Sequence, residues 1–173
     1  MHTPKENYQN KPNQIKLTLQ KIEVGINSQY RLMKEKLVNE IRDHIKEYEG
    51  FSSLVYECTA GYQTIGYGRN IEQKGISKEE AEYLLANDIA QSIKEIKNII
   101  RDFDSLPDKA KLVLIDMTYN LGLSKLLTFE NMLDAIDARD WEKAAEELLD
   151  SRYARQTKRR ARINAAYLIS CAD

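Results

Sequence analysis

The first part of the chain carries a polar segment followed by a short alternating pattern of apolar residues. Residues 1–14 are almost wholly polar and predict a tail without regular structure. Apolar residues then occupy alternate positions from Ile15 to Leu19, which favours a short strand within residues 15–24, although a helix also fits this stretch. Gly25 and the polar residues after it interrupt the pattern.

A helical period of apolar residues begins near residue 31. Four apolar residues lie four positions apart and line one face of the predicted helix: Met33, Leu37, Ile41 and Ile45. The pattern runs to Glu49 and meets Gly50, a residue that commonly ends helices.

Residues 54–70 are rich in Tyr, Thr, Ile and Val and are punctuated by glycines. β-Branched and aromatic residues favour strands, and glycines favour turns between them. This segment therefore predicts a β-hairpin that turns near Ala60 and Gly61.

Helical signals dominate the rest of the chain. Ser77 and Glu80 form a capping-box pattern that opens a helix to about Ile100, and Pro107 opens the next helix. That helix is apolar around most of its circumference, which is typical of the centre of a helical bundle. Two or three further helices are predicted, one beginning near Trp141 and one near Thr157. The fold class is α+β and mostly helical.

Composition and charge exclude several classes of protein. The chain has 173 residues, 42% of them hydrophobic and 31% charged, with a net charge of -1, an ordinary globular composition without a general attraction to nucleic acid or membranes. No apolar run is long enough to span a bilayer, and the polar start lacks a signal core, so we expect a cytoplasmic protein. Two cysteines and two histidines predict neither a disulfide framework nor a metal site, and we expect no cofactor.

Glu49 is a candidate proton donor for glycoside hydrolysis. That reaction needs an acid beside the leaving oxygen and a second group that activates water or stabilises positive charge. The negative end of a helix dipole favours the protonated form of a carboxyl group in the last turn. By composition alone, Glu40 and Glu47 resemble Glu49, and a solvated surface glutamate is the competing interpretation.

The residues that follow Glu49 distinguish it from its neighbours. Glu49-Gly50 is followed by Cys58 and by the run Thr64-Ile65-Gly66-Tyr67-Gly68, with eight and five residues between Glu49, Cys58 and Thr64. This pattern resembles the signature of the phage-type lysozymes (endolysins, glycoside hydrolase family 24), in which a Glu precedes an Asp or Cys and then a Thr.

The resemblance extends over roughly residues 39–173. Further segments resemble the T-even and lambdoid phage members of the family: SKEEAEYLLAND from residue 77, YNLG from 119, and the stretches 141–145 and 151–161. It implies a two-lobed fold with a small β-hairpin lobe, a connecting helix and a C-terminal helical bundle. Residues 1–38 are then an N-terminal extension of unknown role.

The resemblance also implies roles for the motif. Glu49 would be the general acid and Thr64 would hold the attacking water, assisted by Cys58, for hydrolysis of the β-1,4 bond between N-acetylmuramic acid and N-acetylglucosamine with inversion. Cys58 could act as a base, as a nucleophile that would give retention, or as a positioning group, and a small buried residue is the structural alternative. A free thiol has a pKa near 8.5, which a neighbouring carboxylate would raise. Glu57 is a less favoured substitute, because adjacent strand side chains point to opposite faces.

Substrate contacts are expected from the C-terminal half of the chain. The family match nominates Asn120 and Gln156, and Arg152 and Arg160 belong to a basic stretch suited to the carboxylates of peptidoglycan stems. Other cations of this stretch, such as Arg155 and Arg159, also fit a solvated helix face, and no interleaved aromatic residues support nucleic acid as a partner. Arg69 and Asp88 match a family pair in which the Arg69 position is usually histidine.

Peptidoglycan is the expected partner of a monomeric enzyme without stable membrane insertion, although the N-terminal extension could mediate contacts. Three other functions fit the sequence: a lytic transglycosylase that uses Glu49, a non-catalytic wall-binding or phage structural protein, and an antibacterial toxin with an immunity partner.

Overall fold

The computed structural model describes residues 11–172, and the chain divides into two compact units, Met1–Ile76 and Ser77–Asp173. Most of the predicted tail, residues 1–14, therefore lies outside the described residues, although residues 11–14 are helical. The overall class is the one predicted, because helices dominate the described residues and a small sheet follows the first helix among them.

The first unit begins with α1, Lys11–Glu49. The helix predicted from residue 31 is confirmed as the second half of α1, but the strand favoured within residues 15–24 is wrong and that stretch is helical. Its sequence is rich in Lys, Leu, Gln and Glu, which have high helix propensity, and Gly25 costs only about 1 kcal/mol in a helix interior. The alternation was too short to outweigh these preferences.

α1 ends at the predicted position. Gly50 adopts a φ of 66°, in the left-handed region that glycine enters without steric cost, and its N–H donates to the carbonyl of Lys46 at 3.2 Å. The chain then turns directly into the sheet, which places Glu49 at the junction between helix and sheet.

The sheet has three antiparallel strands in the order β1 (Ser52–Glu57), β2 (Gln63–Gly66) and β3 (Arg69–Asn70). The predicted hairpin is confirmed, and its turn is closed by the N–H of Gly61 donating to the carbonyl of Cys58 at 2.8 Å. β3 was not predicted, because a strand of two residues is too short to show an alternation of apolar and polar side chains.

A short helix completes the first unit. α2 (Ile71–Lys74) begins after Asn70, whose side chain accepts the N–H of Gln73 at 2.9 Å. Glu72 accepts the N–H of Gln63 at 3.3 Å, which ties α2 back to β2.

The second unit is wholly helical apart from its connections. The predicted capping box is present, since Ser77 accepts the N–H of Glu80 at 3.2 Å and the Glu80 side chain accepts the N–H of Ser77 at 2.7 Å. Seven α-helices and one 3-10 helix follow: α3 (Lys78–Lys97), the 3-10 helix Phe103–Ser105, α4 (Asp108–Leu121), α5 (Leu123–Leu126), α6 (Glu130–Asp137), α7 (Trp141–Asp150), α8 (Arg152–Thr157) and α9 (Arg159–Ile169).

The core of the second unit forms around α4, which packs against α3, α5 and α9, while α7 packs against α6, α8 and α9. The predicted place of α4 in the core is confirmed on one face, although Leu112 and Tyr119 on another face are 41% and 44% exposed. The largest fully buried side chains are Ile96, Val113, Leu114, Met117, Leu126, Met132, Ile136, Leu148 and Leu168.

A charged network joins α4 to α9. The guanidinium of Arg160 forks onto Asp116, with Nη2 2.6 Å from Oδ1 and Nε 2.9 Å from Oδ2, and Asn164 donates to Oδ2 at 2.9 Å. Burial acts to raise the pKa of Asp116, but the hydrogen bonds from Arg160 and Asn164 outweigh it and hold that pKa below its ordinary value. The network therefore stabilises the packing of the two helices only while Asp116 is ionised.

Asp116→Ala is expected to lower the free energy of unfolding by about 1–3 kcal/mol at pH 7, because it leaves Arg160 and Asn164 without their acceptor. Since the pKa of Asp116 is lower in the folded state, the loss should be full above about pH 4 and shrink as the pH falls through the folded value. Urea unfolding at pH 7 and at pH 3 measures this. Asp134→Ala, an exposed position on α6, is the control, and an equal loss at both pH values would contradict the assignment.

Candidate active site

Glu49 lies against Gly68, at the turn between β2 and β3. A Cβ atom added to Gly68 would lie 2.8 Å from the carboxyl carbon of Glu49, and closer still to its Oε2. Gly68 also has a φ of 70°, which side-chain-bearing residues rarely adopt. At Gly68, the group that approaches the backbone closely is the carboxyl group of Glu49.

Aromatic and cationic contacts hold the end of α1 on the same turn. The rings of Phe51 and Tyr67 lie 5.3 Å apart, and the ammonium group of Lys46 lies 5.2 Å from the centre of the Tyr67 ring. These contacts restrict the direction in which Glu49 leaves the helix.

Cys58 and Thr64 come together at the other end of β2. Thr64 is only 3% exposed, and its hydroxyl donates to the carbonyl of Tyr62 at 3.0 Å. Cys58 is half-buried in the hairpin turn, where its own N–H donates to the same carbonyl at 3.0 Å.

The environment of Cys58 makes its thiol more acidic. Hydrogen bonds with the backbone at Tyr62 and Ala60, and then with the side chain of Thr64, lower the pKa of Cys58. This direction is opposite to the rise expected from a neighbouring carboxylate. The lowered pKa makes the thiolate, which is the form that accepts a proton or attacks carbon, more accessible than it is for an ordinary thiol.

Glu57 and Cys58 do not stand as neighbours within one strand. β1 ends at Glu57, which is exposed and lies opposite Gln63, and Cys58 belongs to the turn. The turn, and not strand alternation, sets the direction of the Cys58 side chain. The first unit thus carries a carboxyl group, a thiol and a hydroxyl group on one helix end and one small sheet.

Arg152 and Gln156 line the same recess in the second unit. Its volume is about 590 Å³, and its other lining residues are Leu121, Lys125, Thr128, Phe129, Glu130, Asn131, Met132, Glu147, Ser151 and Tyr153. Lys143 and then Asn131 donate hydrogen bonds that lower the pKa of Glu147. The residues that line the recess include apolar side chains, cations, anions and amides, which suits a ligand that is part sugar and part peptide.

Arg160 and Asn120 are placed apart from that recess. Arg160 is held by Asp116 and lines a separate recess of about 430 Å³ beside Leu112. Asn120 is exposed near the end of α4. The sequence did not predict that Asp116 pairs with Arg160. The one hint in the sequence was the position of Asp116, an acidic residue within a mostly apolar helix, where a carboxylate needs a partner.

Arg69 donates from its Nε to the carbonyl of Gly75 at 2.9 Å. Its pairing with Asp88 stays a prediction. Within residues 11–172, no cluster of three or more His, Cys, Asp or Glu residues could hold a metal ion. In the same range, no helix combines the length and apolar character needed to cross a bilayer.

Comparisons with known proteins agree with the motif. The sequence profile of the family described as phage lysozyme matches residues 46–163. The chain is 27% identical over 154 residues to a probable T4-type lysozyme 1 of Dictyostelium discoideum, covering 72% of this chain and 91% of that protein. It is 30% identical over 109 residues to an endolysin of Acyrthosiphon pisum secondary endosymbiont phage 1, covering 61% and 72%. It is also 28% identical over 145 residues to the pre-baseplate central spike protein Gp5 of Enterobacteria phage T4, covering 68% of this chain and 25% of that protein.

Proposed function

The chain belongs to the phage lysozyme family, and from that premise we propose that it is a peptidoglycan-cleaving glycosidase. We further propose that it is a muramidase, which hydrolyses the β-1,4 bond between N-acetylmuramic acid and N-acetylglucosamine. The observation that carries the proposal is the arrangement of three groups around β2. The carboxyl group of Glu49 lies against Gly68, just after one end of the strand, and Thr64 lies beside Cys58 near the other end.

Glu49 acts as the general acid in this proposal. Its carboxyl group donates a proton to the glycosidic oxygen as the bond to the anomeric carbon breaks. The contact with Gly68 fixes the direction of donation.

Thr64 and Cys58 act on the attacking water. A lone pair of the Thr64 hydroxyl oxygen can accept a hydrogen bond from the water and so hold it in place. In its thiolate form, which the lowered pKa makes more accessible, Cys58 can take up the proton that the water loses as the water oxygen bonds to the anomeric carbon. Attack by water gives inversion; direct attack by the sulfur would give retention.

Arg152 and Gln156 contribute to substrate binding through their shared recess. The Arg152 guanidinium suits a stem-peptide carboxylate, and the Gln156 amide suits a sugar or peptide group. Asn120 and Arg160 remain proposed contacts, with Arg160 also engaged by Asp116.

Purified cell walls test the proposal. We expect loss of turbidity together with new reducing ends at N-acetylmuramic acid. A lytic transglycosylase would instead leave anhydro ends, which mass spectrometry distinguishes. The similarity to a phage spike protein favours one further candidate, a structural wall-binding role, and binding to walls without any cleavage would support it.

Cys58 is expected to be alkylated faster at neutral pH than an ordinary thiol, because its lowered pKa places the midpoint of its pH–rate profile below that of an unperturbed cysteine. Cys171 is the internal control, because burial raises the pKa of its thiol and its midpoint should lie higher. Mass spectrometry of peptides after timed iodoacetamide treatment measures both rates. Equal midpoints would contradict the assigned environment of Cys58.

Cys58→Asp is expected to keep or increase wall hydrolysis, because it installs the other residue that the family uses at this position. Cys58→Ala should reduce turnover, but less than loss of the general acid does. Initial rates on purified walls measure both variants. If Asp unfolds the protein while Ala leaves turnover unchanged, Cys58 is a packing residue and not part of the chemistry.

A further inference from the structure

The chain concentrates positive charge in one short segment. Residues 152–162 contain six cations and no acidic residue, in a protein whose net charge is -1. Arg160 is neutralised by Asp116. None of the other five forms an ion pair with any residue in the described range 11–172: Arg152, Arg155, Lys158, Arg159 and Arg162.

Three of these unpaired cations line one groove. Arg155, Lys158 and Arg162 border a space of about 370 Å³ together with Leu149 and Ala154, and none of the described residues that line it carries a carboxylate. We name this space the basic groove. All three cationic side chains are exposed, so they can reach a ligand without any rearrangement of the core.

The backbone holds the three cations close to one another. Lys158 separates α8 from α9 with a φ of 41°, a conformation that carries a steric cost for a residue with a side chain. The turn brings Arg155 on α8 and Arg162 on α9 to the same groove. Arg155 is further oriented by donating from Nη1 to the carbonyl of Asp150 at 2.9 Å.

We propose that the basic groove binds a linear polymer of phosphodiesters carried by the bacterial wall; the choice of the wall as its source rests on the proposed function. Arginine forks match the oxygens of a phosphate group, and neighbouring cations repel one another until an anion lies between them. A polymer engages all three cations at once and releases its counterions on binding. Because no aromatic side chain from the described part of the chain lines the groove, stacking of single-stranded nucleic acid is disfavoured.

Fluorescence anisotropy with fluorescein-labelled poly(glycerol phosphate) tests the proposal. The measurement uses the full chain carrying Glu49→Gln, so that binding is read without wall cleavage and its failure is distinguishable from failure of the proposed activity. A triple variant replaces the three groove cations with glutamine: Arg155→Gln, Lys158→Gln and Arg162→Gln. Its affinity for the polymer should be at least about tenfold weaker, and the slope of log affinity against log salt concentration should be shallower by about 2–3.

A matched variant removes the same charge elsewhere. Lys74→Gln, Lys78→Gln and Lys94→Gln change exposed lysines of α2 and α3 and should weaken binding by less than about twofold. If the two triple variants lose the same affinity for the polymer, binding depends on the net charge of the protein and not on the groove, and the proposal is overturned. If the groove triple variant melts at a lower temperature, its three single variants replace it, each expected to weaken binding about two- to threefold.

Competing ligands decide the chemical class. Inorganic phosphate should displace the polymer only at a phosphate concentration about a hundredfold higher than that of the polymer's own phosphates. If inorganic phosphate displaces the polymer at an equal phosphate concentration, the groove binds single anions and not a polymer, and the proposal is overturned. Tighter binding to duplex DNA, or to phosphatidylglycerol vesicles, that is lost in the same triple variant would also overturn it.

Discussion

Replacement of Glu49 by glutamine is expected to reduce wall hydrolysis by about a hundred- to ten-thousand-fold, the usual contribution of general acid catalysis. Glutamine keeps the size and shape of the side chain, so the contact with Gly68 survives, but an amide cannot supply the proton. The rate of reducing-end release from purified walls measures the effect, and circular dichroism checks that the fold is retained.

Glu47→Gln is the matched control for this experiment. Glu47 lies two residues earlier on α1, is exposed, and projects from a different face of the helix. Its replacement makes the same chemical change and should leave activity within about twofold, the range of a surface substitution without a catalytic role. Retention of more than a tenth of wild-type activity by Glu49→Gln would sink the assignment of the general acid.

Gly68→Ala is expected to lower activity by about tenfold to a hundredfold without removing any catalytic group. The added methyl carbon would occupy the space of the Glu49 carboxyl group, which must then move away. A displacement of about 1 Å in a catalytic group can cost about a hundredfold in rate. The value of kcat should fall more than the affinity for wall fragments, because the acid is displaced and the binding recess of the second unit is unchanged.

Gly66→Ala is the control that distinguishes the effect of displacing the Glu49 carboxyl group from the effect of backbone strain. Gly66 has a φ of 69°, close to that of Gly68, but nothing lies within 4 Å of the position where its Cβ would stand. Both variants should therefore lose about 1–2 kcal/mol of stability from the left-handed backbone. Only Gly68→Ala should lose activity, and equal losses of activity would show that Glu49 does not depend on its contact with Gly68.

The start of the chain shows how local patterns compete. The alternation between Ile15 and Leu19 favoured a strand, yet α1 continues through this stretch. A strand needs partners to which its backbone can hydrogen-bond, whereas a helix satisfies its backbone groups within the segment. Helix propensity therefore prevailed over a short alternation.

The elements that could be predicted from the sequence are those that local interactions determine. The stop of α1 at Gly50, the turn near Gly61 and the capping box of Ser77 each depend on hydrogen bonds between residues at most four positions apart. The spacing of Glu49, Cys58 and Thr64 also lies within one short segment, so its resemblance to the family signature can be read from the sequence, and the catalytic roles that it implies stay predictions.

The tertiary structure decided the features that depend on residues distant in sequence. Arg160 forms a salt bridge with Asp116, which lies 44 positions earlier in the sequence. No local pattern indicated that the Asp116 carboxylate would bind Arg160, or that Arg152 would line a separate recess. The approach of Glu49 to Gly68, and the lowering of the Cys58 pKa by Tyr62, Ala60 and Thr64, depend on how the end of α1 and the hairpin turn fold back on the sheet. Such contacts arise from packing and from hydrogen-bond direction in three dimensions, which a one-dimensional pattern of residue types does not contain.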